Sequence, residues 1–244
     1  VRPAMTVILG DFLDFGMLSR YAQEADAPVR AIPQIARFVR EANALVREAG
    51  RVLVIEGNHD ERWRKCLAQH ATALAGALGF SLHKQCLAHG LDVRVEWSRE
   101  DAQVRGVAVG PFVLRHGHNQ SGRFGAPRHL AANRITKSLG QSEVFGHHHK
   151  AQLFCQTAHG RTAIAIANPC LTRPHGYAPD ADWQRGFTVL ELDPRDPSLG
   201  TGYPLVMAPG GRFGWGGVFY DGAASLRAEG AARKARKARS GRSA

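Results

Sequence analysis

Three apolar runs in this chain break at glycine and then present metal-type ligands, so the fold must either gather or scatter those three ends. They are Val7-Ile8-Leu9-Gly10-Asp11, Val52-Leu53-Val54-Ile55-Glu56-Gly57-Asn58-His59-Asp60, and Ser142-Glu143-Val144-Phe145 running into Gly146-His147-His148-His149. Side chains alternate along a strand, so imidazoles at i and i+2 fall on the same side of the backbone. His147 and His149 are therefore expected together, an arrangement that suits two adjacent metal ions better than one ion in a core.

The intervening segments predict a layout that brings the ends together. Met5 to Leu9 is a continuous apolar run, the pattern of a strand buried on both faces. In Pro28 to Ala49, Ile32, Ile35, Val39, Ala42, Leu45 and Val46 recur at helical spacing, and Gly50 marks the stop. Val52 to Ile55 is the next strand, which completes a βαβ unit with a parallel pair. Glu61 to about Leu78 reads as one helix closing at Gly79. Leu91–Trp97, Val104–Val109 and Phe112–Arg115 read as short strands, Arg128–Leu139 as a helix, and Ser142–Phe145 as a strand. Gln152–Ala158 and Arg161–Ala167 flank His159-Gly160, a hairpin signal. Phe187–Leu192, Tyr203–Met207 and the end of Gly210–Tyr220 complete the strands.

Ligands in open α/β sheets collect beyond the carboxyl ends of strands, so Asp11, Asn58 with His59, and His147 with His149 can converge. Phe112-Val113-Leu114-Arg115-His116-Gly117-His118 offers a fourth strand end of the same kind. Carboxylate, amide and imidazole donors form a mixed set suited to Mn, Fe or Zn, unlike the oxygen cage of Ca²⁺ or a thiolate zinc site.

The order Gly10-Asp11-x-x-Asp14, Gly57-Asn58-His59-Asp60, His116-Gly117 and Gly146-His147-x-His149 resembles the calcineurin-like metallophosphoesterase superfamily. The likeness spans roughly residues 5 to 150, and its strength lies in four motifs in the right order. It implies an αββα sandwich of two mixed β-sheets flanked by helices, and a dinuclear centre of two divalent ions, Mn²⁺ first and Fe or Zn next. By resemblance Asp11 bridges the two metals, Asn58, His116 and His147 complete one site, and His149 belongs to the other. His59 corresponds to the catalytic histidine that protonates the leaving oxygen, and Asp14 to the carboxylate that orients it.

Two departures refine this expectation. The family opens with Asp-x-His on a first strand, and no Asp-x-His occurs in this sequence. The site served by Asp11 and His149 thus lacks ligands, and an N-terminally truncated chain missing that strand is the favoured explanation over a degenerate one-metal relative. Protein-phosphatase relatives carry Arg after Asp14 and before Gly57, where this chain has Phe15 and Glu56. Loss of those anion clamps favours a phosphodiesterase or nuclease-like hydrolase acting on nucleic acid or a nucleotide. A phosphomonoesterase and a non-catalytic nucleic-acid-binding relative are the alternatives. Gly57 to Arg62 also resembles metallophosphoesterases of phages and mobile elements.

Composition sets the remaining bounds. With 244 residues, 44 % of them hydrophobic, and no run of about 18 apolar residues, neither a membrane span nor a secretory signal is read. The four widely spaced cysteines are read as reduced thiols in a cytoplasmic protein. Of the net charge of +11, +6 falls in Arg227–Ala244, with seven Lys/Arg and one Glu. We therefore expect a domain over 1–222 and a basic tail over 223–244, disordered or a frayed helix, that either contacts nucleic acid electrostatically or only solubilises the chain. Other readings are less specific. His148 is expected to face away from the ligands, and His118 to be a substrate contact or a surface residue. Asn119–Arg128 reads as a basic loop over the substrate or a plain solvated loop; Gly176–Gly186, with Tyr177 and Trp183, resembles an aromatic loop near the site in some relatives, with Trp183 as core the preferred alternative. His70, His83, His89, His129, His159 and His175 read as packing or surface residues.

Overall fold

The computed structural model describes residues 2–18, 31–75, 78–99, 106–118, 129–137, 140–172 and 182–222. The basic tail, the Asn119–Arg128 loop, Pro28, His175 and Tyr177 lie outside these residues. Four layers stack in the order helix, sheet, sheet, helix, the αββα sandwich expected from the motifs.

The first sheet holds β1 (Thr6–Leu9), β2 (Val52–Glu56) and β3 (Val95–Arg99) in that order, all parallel. Strand β2 is central and buried at every residue. Its Val52 and Val54 pack on α1 (Ala31–Ala49), while Leu53 and Ile55 face the second sheet. Strand β1 differs from its expected burial. It is the sheet's edge, and each of its residues keeps partial exposure although Ile8 packs toward the helix and Val7 and Leu9 between the sheets.

The second sheet runs β4 (Val107–Val109), β5 (Phe112–Arg115), β6 (Ser142–Phe145), β8 (Arg161–Ala167), β7 (Gln152–Ala158) and is mixed. Phe112, Leu114, Val144 and Ile166 face the first sheet, and Ala163 and Ala165 take α5 (Leu130–Lys137) on the other side. The β7–β8 hairpin turns at His159-Gly160 as read, both at positive φ (50° and 73°). Two further hairpins follow: β9 (Gly186–Leu192) with β10 (Gly200–Val206), and β11 (Arg212–Trp215) with β12 (Val218–Asp221).

Local differences from the sequence reading have local causes. Ile32 is 49 % exposed in the first turn of α1, and Phe38 takes the expected place in the apolar stripe. The helix expected from Glu61 to Leu78 is α2 (Glu61–His70), which breaks at Ala71 (φ −148°, ψ 56°) before the short α3 (Thr72–Ala75). An unforeseen helix, α4 (Leu82–Ala88), is capped by Ser81, whose hydroxyl accepts the Lys84 N–H at 3.2 Å. Asp92 turns the chain by accepting the Arg94 N–H at 2.9 Å, so β3 begins at Val95 although Leu91 was expected to open it. All four cysteines are free thiols. No helix among the described residues is long and apolar enough to cross a membrane.

Candidate metal centre

The parallel registers dictate where the ligands meet. Leu9 pairs with Ile55 and Arg115 with Phe145, so the carboxyl ends of β1, β2, β5 and β6 release Asp11, Asn58, His116 and His147 at one edge of the sandwich. Close approach there requires glycine. A Cβ on Gly57 would lie 2.2 Å from Asp11 Oδ1, and one on Gly10 would lie 2.3 Å from His116 Nδ1. Gly10 also has φ 88°, a conformation other residues resist.

The buried His116 ring is the hub. A carbonyl can only accept, so Nδ1–H donates to Leu9 O at 2.8 Å and Nε2 is left facing the other ligands. Asn58 Oδ1 lies 3.0 Å from that Nε2, Asp11 Oδ2 at 3.2 Å and His147 Nδ1 at 3.2 Å. The ligand atoms of Asp11, His116 and His147 all lie within 4.8 Å of one another. With Nε2 unprotonated the four facing atoms are all acceptors, a crowding relieved either by a proton on Nε2 or by a bound cation. Two ligand atoms each about 2.1 Å from one ion, at right angles, are about 3.0 Å apart. The observed spacings are those at which Asp11, His116 and His147 could hold a divalent cation.

Without a bound cation, Asp11 and His116 stabilise each other as a charge pair. Burial would raise the Asp11 carboxyl, but the hydrogen bond and charge of His116 hold it well below the usual carboxylate range. Burial works against the charged form of His116, yet Asp11 outweighs it and raises that imidazole. Burial, then repulsion from His116, pushes His147 down to about 3. His147 is thereby held neutral, the state in which Nδ1 can act as a ligand.

His147 and His149 reach the site by a route other than strand alternation. Strand β6 has ended at Phe145, and both residues lie in a loop with φ 68° and 56°. Asp11 is also left-handed, at 54°, so three of the five non-glycine residues at positive φ among those described are expected ligands. Such backbone outliers cluster where the surroundings over-determine a functional geometry. His149 lines the same cleft as Asp11 and His147 but lies outside the close group of donors.

His59 and Asp14 meet as expected. His59 Nδ1–H donates to Asp14 Oδ1 at 2.8 Å, and the His59 backbone N–H donates to Asp11 Oδ1 at 2.9 Å. Arg62 steadies Asp14 by donating to its backbone O at 2.7 Å.

Asp60 is a contributor whose role the sequence reading missed, although it stands inside the quoted motif. Fully buried, it accepts N–H groups from Asp11 (2.8 Å), Gly57 (2.8 Å) and Leu13 (3.0 Å), tying two ligand loops together. Burial and the Asp11 charge push its carboxyl upward against those donors. His118 is not a surface residue: its side chain is buried, with Nε2 3.3 Å from Glu61 Oε1 and its ring centroid 5.2 Å from that of His116. That contact, with Lys65 at 2.5 Å, outweighs burial and holds Glu61 down to about 2. His148 turns away and packs on Phe145, ring centroids 6.2 Å apart.

The ligands open onto a cleft of about 720 Å³. Asp11, Asp14, His59, His147 and His149 form one side; Gln34, Arg37, Phe38 and Glu41 of α1 contribute another, and Thr172 and Trp183 complete the rim. Trp183 is therefore half-buried cleft wall and not core, its ring perpendicular to His149 with centroids 4.4 Å apart.

No family model matches the chain. No curated protein matches it. Among solved structures, a single mutant of Vps29 from Entamoeba histolytica is similar over 89 % of this chain and 98 % of that one, at 19 % identity and a TM-score of 0.39. A double mutant of the same protein is similar over 88 % and 98 %, at 18 % identity and a TM-score of 0.37. At that distance the site itself is the ground for a functional reading.

Proposed function

We propose that this chain is a calcineurin-like metallophosphoesterase that hydrolyses phosphodiesters. The observation that carries the reading is the convergence of Asp11 Oδ2, Asn58 Oδ1 and His147 Nδ1 on His116 Nε2. Asp11, Asn58, His116 and His147 would hold one divalent cation, with Mn²⁺ the first choice, and Asp11 and His149 would contribute to a second. Bound cations supply charge neutralisation at the phosphoryl oxygens and acidify water near neutral pH.

The chain's own groups do the rest. Asp14 accepts the His59 Nδ1 proton, which fixes the ring and leaves Nε2 to hand a proton to the leaving oxygen. The cleft lining carries three carboxylates, Asp11, Asp14 and Glu41, against the single guanidinium of Arg37. An anionic substrate is repelled there unless cations reverse the sign, which is a second reason to place them.

Diesters are favoured over monoesters because the two family positions for phosphate-gripping arginines are turned inward. Phe15 is fully buried, and Glu56 is buried with its Oε1 accepting Trp97 Nε1–H at 2.7 Å. A monoanionic diester needs less positive charge than a dianionic monoester.

The test is Mn²⁺-dependent hydrolysis of bis(p-nitrophenyl) phosphate. Asp11→Asn and His147→Ala are expected to abolish both activity and metal uptake, and His59→Ala to lower kcat about 10²–10⁴-fold with metal content intact. Undiminished activity in the first two variants overturns the reading. Preference for p-nitrophenyl phosphate moves it to the monoesterases. Protein that takes up no metal, and whose salt-sensitive nucleic-acid binding is lost on deleting Arg227–Ala244, is a non-catalytic binding relative.

A further inference from the structure

A sheet edge leaves backbone hydrogen-bonding groups outside any ladder, and folds guard such edges with charge, proline, bulges or shortness. Strand β3 carries Glu96 and Arg99, and β1 and β4 are four and three residues long. Strand β7 has none of these guards. It ends the second sheet, runs for seven residues without a charged residue or a proline, and keeps an unbroken register with β8. Among the described residues no strand pairs with its outer side. Leu153 is 46 % exposed and Phe154 39 %, and Cys155, the middle residue, is exposed as well.

The hairpin register determines which groups face outward. Residues of an antiparallel pair alternate between exchanging two backbone hydrogen bonds and exchanging none. The two-residue turn at His159-Gly160, left-handed at both positions, makes Ala158 and Arg161 a bonded pair. Counting back, Gln156, Phe154 and Gln152 bond to β8, whereas Thr157, Cys155 and Leu153 turn N–H and C=O away from it. Strand β8 has the matching phase: Ile164, across from Cys155, directs its N–H away from β7 to Ser142 Oγ at 3.1 Å.

We propose that β7 pairs antiparallel with β7 of a second copy of this chain about a two-fold axis at Cys155, joining two five-stranded sheets into one of ten strands. Symmetry identifies the occupant. Leu153 and Thr157 stand two residues to either side of Cys155, so Leu153 meets Thr157 of the second copy, and Cys155 meets Cys155. That register satisfies all three outward N–H and all three outward C=O groups of each strand. Every residue brought opposite another is uncharged, and Phe154 lies diagonal to its own counterpart, within aromatic reach. Helix α5 lies over β7 and β8 alike, so strands about 4.8 Å apart set its two copies about 10 Å apart, an ordinary helix packing distance.

The test is sedimentation velocity of the full chain over about 1–200 μM in reducing buffer, the range of a weak specific interface. A reversible shift from 26.5 kDa to twice that mass is expected. Amide exchange followed by NMR should slow at Leu153, Cys155 and Thr157 as concentration rises, and stay constant at Phe154 and Gln156, which are already bonded to β8. With reductant removed, a short bismaleimide should join Cys155 to Cys155, identified by peptide mass spectrometry. Cys155→Lys sets two ammonium-bearing residues about 5.5 Å apart at the axis and should weaken association at least tenfold, an effect that eases in high salt. Cys155→Pro removes an outward N–H without touching the β8 ladder and should abolish association. Thermal melting establishes that each variant is folded. A monomer at every concentration, a dimer without the alternating exchange pattern, or a dimer indifferent to Cys155→Lys overturns the pairing. Open-ended oligomers overturn it too, because a two-fold contact closes at two copies.

Discussion

Asp60 Oδ2 accepts the backbone N–H of Asp11 and that of Gly57, each at 2.8 Å, so one carboxylate oxygen sets the spacing of two ligand loops. The other oxygen takes Leu13 N–H at 3.0 Å. Asn cannot replace it, because its NH₂ must face an N–H wherever it is turned. Asp60→Asn should destabilise the fold by about 1–3 kcal/mol, the cost of a buried unsatisfied donor. Urea unfolding measures this, and an unchanged midpoint would contradict the clamp.

Gly57 is fixed by contact and not by torsion. A methyl there would overlap Asp11 Oδ1, and backbone sits behind it. Gly57→Ala should therefore displace Asp11 and weaken Mn²⁺ binding at least tenfold, read by titration calorimetry. Ala at Gly79, where a Cβ meets nothing within 4 Å and the backbone is not left-handed, is the control for the effect of an added methyl as such.

Glu56 makes stability depend on pH in a direction opposite to most carboxylates. Burial raises its folded-state pKa, only partly opposed by the Trp97 hydrogen bond. The neutral form is thus favoured on folding. Its contribution is fully present below the ordinary Glu range and is lost as pH rises through the raised value. Glu56→Gln, whose amide oxygen can still accept from Trp97, should melt higher than the native sequence at pH 7, with the gap closing toward pH 4. A gap that widens on acidification would refute the assignment.

The cysteines should separate by reactivity. Burial pushes the fully buried Cys86 thiol up to about 12, and Cys155 lies exposed on β7. Iodoacetamide at pH 8 should modify Cys155 within minutes and Cys86 only after denaturation, as read by peptide mass spectrometry. Early labelling of Cys86 would place it outside the core.

Strands whose burial follows from short-range pattern were legible in the sequence: β2, β5, β6 and the β7–β8 hairpin were all recognisable as apolar runs bounded by glycine or turn residues. The break at Ala71 was not, because alanine is the best helix former and carries no stop signal of its own. Helix α4 was lost for a similar reason, its cap Ser81 standing without a strong apolar stripe. In the site, the positions of Asp11, Asn58, His116 and His147 could be read because each stands just beyond an apolar run, with a glycine before or after it. The route of His147 and His149 could not, since left-handed backbone at histidine leaves no pattern in sequence. Arg37 joins the cleft only through the stacking of layers, which no local signal encodes, whereas Trp183 lies in a stretch whose resemblance to a site-flanking aromatic loop competed with a core reading.

The left-handed torsions at Asp11, His147 and His149 each oppose folding by an amount on the order of 1–3 kcal/mol. Glycine at any of the three would relax the backbone and delete a donor in one stroke. Genetic drift toward a sturdier fold therefore runs downhill in the same direction as loss of the metal centre. Under the proposed hydrolase function, selection for chemistry is what would hold the donors in place, and a lineage released from that demand would shed them first.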